Sequence, residues 1–193
     1  MANAWQTDTC VGNWHYKRGV KYKTPKTVID MLCDIVSRNG NLMLNFPLPN
    51  SGELDADELT ILDEITKWMT VNSEAIYATR PWKTFGAGPS IESAPVANTR
   101  FNERNRKDLT ADDIRFTTRG KTLYAFAMGW PGKQATIPSL ALGGKYDVPK
   151  FHNVDLLGHK GKLKWHQDSS ALVVDLPEQQ PSEHAVAFRI ALS

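Results

Sequence analysis

A single apolar strand set between two amphipathic helices limits what this chain can fold into more than any other feature. Thr24 is placed to cap a helix that starts with Pro25, and Val28, Ile29, Leu32, Ile35 and Val36 recur at helical spacing until Asn39-Gly40 ends it. Asn41-Leu42-Met43-Leu44-Asn45-Phe46 then forms a short apolar run closed by Pro47 and Pro49, the pattern of a buried strand in a parallel sheet. A second helix follows. Asp55 suits its N-cap, Asp57 and Glu58 favour its positive end, Leu59, Leu62, Ile65 and Met69 form an apolar stripe, and Asn72 closes it. Parallel strands occur in sheets covered on both faces by neighbouring βα units, and the neighbours are missing here. A (β/α)8 barrel takes about 250 residues. Either more chain precedes Met1 or several copies complete one another.

Beyond Trp82 the pattern changes to short segments. Ile114 to Thr118 and Thr122 to Met128 flank Arg119-Gly120-Lys121, which reads as a hairpin with a three-residue turn. Ala135 to Ile137, Val154 to Leu157, Leu163 to Trp165, Ala171 to Leu176 and Ala185 to Leu192 continue the series. The expected fold class is therefore α/β plus all-β: terminal βα units of a (β/α)8-type barrel in residues 1–80, followed by an antiparallel β-sandwich in residues 81–193. Phe85 to Asp113, rich in Gly, Pro, Ser and Asn, reads as a solvated loop, and the charged run from Asn102 to Asp108 as a surface segment.

Composition removes several function classes. The formal charge of +2 comes from scattered lysines and arginines without a basic stripe, so nucleic acid is not an expected partner. Cys10 and Cys33 lie in no metal-ligand spacing and read as free thiols, and Asp55-Ala56-Asp57-Glu58 lacks a cation-binding loop. No metal is expected. No apolar run approaches the roughly 20 residues of a membrane helix, and Met1 to Gln6 lacks the basic start of an export signal. A soluble, unprocessed chain without a membrane partner is expected. Serine hydrolysis is set aside because no Gly-x-Ser-x-Gly occurs.

Several motifs stand in a fixed order: Trp5-Gln6-Thr7-Asp8-Thr9, Asn13-Trp14-His15-Tyr16, Gly40-Asn41-Leu42-Met43-Leu44-Asn45, and Asn72-Ser73-Glu74-Ala75-Ile76-Tyr77 followed by Arg80-Pro81-Trp82. In that order they resemble the end of the catalytic domain of the family 29 α-L-fucosidases. Ile114-Arg115-Phe116-Thr117, Leu123-Tyr124-Ala125-Phe126, Trp130-Pro131, Leu156-Leu157-Gly158 and Leu163-Lys164-Trp165 resemble that family's C-terminal β-sandwich. The resemblance implies retaining, exo-acting hydrolysis of terminal α-L-fucose from glycoconjugates, with a fucosylated glycan as substrate and no cofactor. It also implies self-association or a missing N-terminal barrel portion. Full-length relatives are secreted, periplasmic or lysosomal, which leaves the location open.

Retaining glycosidases generally use two carboxyl groups about 5 to 5.5 Å apart. The family's nucleophile is an aspartate on a mid-barrel strand with no matching position in this chain. Many relatives carry Glu after the tryptophan matching Trp5, where this chain has Gln6, and an amide does not donate a proton as a carboxylic acid does. Asp8 is the nearest carboxylate able to substitute; its other reading is a turn or capping aspartate. Trp14 corresponds to an aromatic beside the C6 methyl of fucose, or else is core packing. His15 either donates to a sugar hydroxyl or is structural, and Asn45 either faces the site at its strand's carboxyl end or caps backbone. Trp5 and Gln6 complete the expected sugar-binding set, although Trp5, Tyr16, Trp68, Trp82, Trp130 and Trp165 also suit core or interface positions. A non-catalytic carbohydrate-binding or structural fragment is the alternative function.

Overall fold

The computed structural model describes residues 3–92 and 108–192. Strand β1 (Trp5–Cys10) pairs in parallel with β2 (Gly40–Asn45), joined by helix α1 (Pro25–Ser37), and helix α2 (Ala56–Asn72) follows β2. The caps form as their residues dictate. Thr24 accepts from the Thr27 amide ahead of Pro25, and Asp55 and Glu58 form a reciprocal capping box. Asn39, with φ 68°, turns the chain from α1 into β2.

The remaining strands are antiparallel. β3 (Arg80–Ala87), β4 (Ile114–Arg119), β5 (Thr122–Ala127), β7 (Asn153–Leu156) and β10 (Val186–Ala191) form a five-stranded sheet ordered β3-β4-β5-β10-β7. β6 (Gln134–Ile137), β8 (Trp165–Gln167) and β9 (Leu172–Asp175) form a three-stranded sheet ordered β6-β9-β8. One core joins the two sheets: Phe116, Ala125 and Phe188 meet Ile137, Leu172 and Val174. A second core lies on the opposite face of the five-stranded sheet, where Tyr124, Phe126 and Ala187 meet Ile29 and Cys33 of α1 and Trp68 of α2. The five-stranded sheet is thus buried on both faces.

Helix α1 lies between that sheet and the parallel pair, which is why its buried residues, Val28, Ile29, Met31, Cys33 and Ile35 among them, cover more than one stripe. Polar groups tie the layers too. Asp34, on α1, accepts from Arg115 Nε at 2.5 Å and from Arg38 Nε at 3.1 Å, and the Arg38 guanidinium lies 3.6 Å from the centre of the Phe85 ring. Asp30 accepts from Lys26 and from the Leu109 amide.

Four expectations change. The Phe85 to Asp113 stretch is not all loop: Arg80–Ala87 is an edge strand, irregular between Pro81 and Gly86, and Pro89–Glu92 is a short helix, α3. Residues 93–107, which hold most of the charged run, fall outside the described residues. The hairpin turn has two residues, Gly120-Lys121, because Arg119 pairs with Thr122. β8 begins at Trp165 rather than Leu163. On α2, Ile65 and Met69 of the expected stripe pack against the second core, but Leu59 and Leu62 are exposed and the fully buried residues are Glu58, Ile61, Trp68 and Asn72, a rotation that sends the Trp68 indole into that core. Cys10 and Cys33 are buried and not joined by a disulfide. Among the described residues no helix is long and apolar enough to cross a membrane.

Candidate functional site

Because strand side chains alternate, β1 and β2 in register divide their residues between two faces. Trp5 pairs with Gly40, Thr7 with Leu42 and Thr9 with Leu44, and this face lies towards α1. Trp5 is committed to it. Its indole Nε1 donates to the Arg38 carbonyl at 3.0 Å, and a Cβ at Gly40 would stand 2.6 Å from its ring and 2.8 Å from Ile35. Trp5 therefore locks strand to helix, with its ring half-buried between them.

The opposite face carries Gln6, Asp8, Cys10, Asn41, Met43 and Asn45, polar but for Met43 and the buried Cys10. Gln6, Asp8, Asn41 and Met43 are exposed. The Gln6 amide donates to Asp8 Oδ1 at 2.8 Å, so an amide and a carboxylate form one unit in mid-strand. Asp8 is thus neither a turn nor a capping residue. It is the only acidic side chain that these two strands present, since residues 5–10 and 40–45 hold no other Asp or Glu.

At the carboxyl ends of the strands the chain builds a rim. Asn45 Nδ2 donates 3.3 Å to the Trp14 carbonyl, so its side chain caps backbone of the β1–α1 segment, the second of its two expected roles. Trp14 is 57% exposed, which removes core packing as its explanation. His15 beside it is exposed as well. The structure thus brings Gln6, Asp8 and Asn45 onto one face and Trp14 and His15 onto the rim above it.

Two concavities among the described residues lie elsewhere. One of about 660 Å³ runs along Asn39 to Leu42 and Ile76 to Pro81, at the amino end of β2, and one of about 320 Å³ separates α2 from Pro181 to His184. Volume alone favours the first, but in α/β architectures the chemistry gathers at the carboxyl ends of the strands, where the polar face and the bare indole are found. Among the described residues no group of three or more His, Cys, Asp or Glu is arranged to hold a metal ion.

Sequence reading missed Tyr22 and Asp55. The Tyr22 hydroxyl donates to Asp55 Oδ2 at 2.8 Å across 33 positions of sequence, and nothing local signals such a pair. Burial, together with the bond to Asp55, pushes the Tyr22 hydroxyl far above its ordinary pKa, whereas the Glu58 amide and the Tyr22 hydroxyl hold Asp55 below the usual carboxylate range.

Residues 1–74 match the family model described as Alpha-L-fucosidase, and residues 106–192 match the Alpha-L-fucosidase C-terminal domain. The chain is 26% identical over 190 residues to the tissue alpha-L-fucosidase of Mus musculus, covering 95% of this chain and 36% of that one. With the plasma alpha-L-fucosidase of Homo sapiens it shares 27% over 172 residues, covering 86% and 32% respectively. Its fold is similar to that of the Thermotoga maritima alpha-fucosidase, with TM-score 0.75, 19% identity and coverage of 99% of this chain and 40% of that one. The same fold recurs in alpha-L-fucosidase isoenzyme 1 from Paenibacillus thiaminolyticus, with TM-score 0.72, 23% identity and 98% and 40% covered. A Thermotoga maritima alpha-fucosidase solved in complex with fucose gives TM-score 0.73 at 19% identity, with 100% and 40% covered. The chain spans about a third of the length of these curated relatives. Two family models, one for each part, agree: this chain belongs to the α-L-fucosidase family.

Proposed function

We propose that this chain supplies one wall of the active site of a retaining exo-α-L-fucosidase that acts on fucosylated glycans. On this reading β1, α1, β2 and α2 are the last βα units of a (β/α)8 barrel within residues 1–80, and residues 81–193 form the C-terminal β-sandwich. The observation that carries the proposal is the polar face of Gln6, Asp8 and Asn45 under an exposed Trp14 at the carboxyl ends of two parallel strands. A flat indole covers the apolar edge of a 6-deoxy sugar without needing hydrogen bonds, while the amides and His15 address its hydroxyls.

The wall is chemically incomplete. With Gln6 unable to donate a proton as an acid, Asp8 is the one carboxylate of the face, and the double displacement needs two about 5 to 5.5 Å apart. The second carboxylate comes from a further barrel portion or from another copy. Among the described residues β1 and β2 pair only with each other as strands, which favours such a partner, since parallel strands ordinarily lie inside larger sheets.

The test is light scattering on a size-exclusion column, each peak being assayed for hydrolysis of an aryl α-L-fucoside. Monomer fractions are expected to release no aryl group above the blank, and any activity is expected only in an assembled fraction. An active monomer overturns this division of the catalytic groups.

A further inference from the structure

The segment that carries Trp14 and His15 runs through residues 11–24 without helix or strand. Ordered loops longer than about 12 residues are uncommon and usually serve function. This one is tied down at its middle and at its end. Asn45 Nδ2 holds the Trp14 carbonyl at 3.3 Å. Near α1, the Tyr22 ring lies on Gly12, where a Cβ would stand 2.8 Å from Cε1, and the Tyr22 hydroxyl donates to Asp55 Oδ2 at 2.8 Å. The loop is thereby folded back on itself, and the Lys23 amide donates to the Val11 carbonyl at 2.7 Å.

Asp55 is a fixed anchor. Its Oδ1 accepts from the Glu58 amide at 2.9 Å, and its own amide donates to Glu58 Oε2 at 3.2 Å. One carboxylate oxygen caps α2 and the other receives the loop. The Asp55 carboxylate, which the Glu58 amide and the Tyr22 hydroxyl hold below the usual carboxylate range, accepts from Tyr22 as an anion, so the bond is charge-assisted.

We infer that the Tyr22–Asp55 pair is a latch which sets Trp14 and His15 in place above the polar face, making both members of the pair positioning residues for the sugar subsite. The inference rests on the fucose-recognition reading above. It assigns Asp55 a task beyond helix capping: coupling the second βα unit to the aromatic rim of the first.

Tyr22→Phe separates the two tasks, because it keeps the ring on Gly12 and leaves the capping box of α2 untouched. Amide exchange by NMR and titration with L-fucose, on the full chain, read the result. Loss of a hydrogen bond to a charged group is expected to speed exchange of the Lys23 amide about tenfold or more and to weaken fucose binding by a similar factor, with the amides of α2 unchanged. Unchanged Lys23 exchange overturns the latch. Faster exchange with unchanged fucose affinity overturns its positioning role. A wild-type chain that gives no fucose signal overturns the subsite reading itself, a failure recognisable because it precedes any substitution.

Discussion

Asp34→Ala is expected to destabilise the fold by about 3–5 kcal/mol, the usual cost of stranding a buried charge. Arg115 and Asp34 have side chains only 3% and 5% exposed, and their bond joins α1 to β4, helix layer to sheet. Removing the carboxylate leaves the buried Arg115 guanidinium without the counter-charge bonded to it, and it breaks the bond from Arg38 to Asp34 Oδ2. Arg38 keeps its place over Phe85, so the loss falls mainly on Arg115. Urea unfolding followed by circular dichroism measures the effect as a shift of the midpoint at constant slope. The double variant Asp34→Ala with Arg115→Met is expected to recover much of the stability, since replacing both partners with apolar groups removes the stranded charge. A single-variant cost under about 1 kcal/mol, the value of a surface pair, contradicts this account.

Trp68→Ala is expected to cost about 3–5 kcal/mol, as large-to-small changes of aromatic core residues do. Trp68 is 1% exposed, lies 6.3 Å from Phe126 by ring centres, and donates its indole N–H to the Ala185 carbonyl at 2.7 Å. It is the side chain through which α2 grips the five-stranded sheet. Trp68→Phe keeps most of the apolar contact and loses the hydrogen bond, so its expected cost is smaller, about 1–3 kcal/mol. Equal costs for the two variants in the same urea experiment mean that the indole N–H, not the packing, holds α2 in place.

Both helices were legible from their ends. Thr24 before Pro25, and Asp55 three residues before Glu58, are chemical start signals that act within one turn and need no tertiary information. The rotation of α2 was not legible, because Leu59 and Leu62 look as apolar as Ile61 and Trp68, and only the sheet decides which stripe is covered. β3 was hidden for another reason. Pro81 and Gly86 read as loop punctuation, yet both fit an edge strand with an irregular register. In the site, the pairing of Gln6 with Asp8 follows from strand alternation once β1 is recognised. The exposure of Trp14 and the Tyr22–Asp55 bond depend on how a long loop lies over the next βα unit, which no local pattern encodes.

The wall of the proposed sugar site is tested most directly by NMR titration of the full chain with L-fucose, reading the indole N–H signals of all six tryptophans and the side-chain amides of Gln6 and Asn45. The account predicts that the signals of Trp14, Gln6 and Asn45 move together along one binding curve while buried Trp68 stays still. It further predicts weaker binding of L-galactose, which carries a hydroxyl where fucose presents its methyl to the indole. Shifts confined to Trp130, which follows β5, and Trp165 of β8, with Trp14 silent, contradict the account and favour a carbohydrate-binding role for the C-terminal part instead.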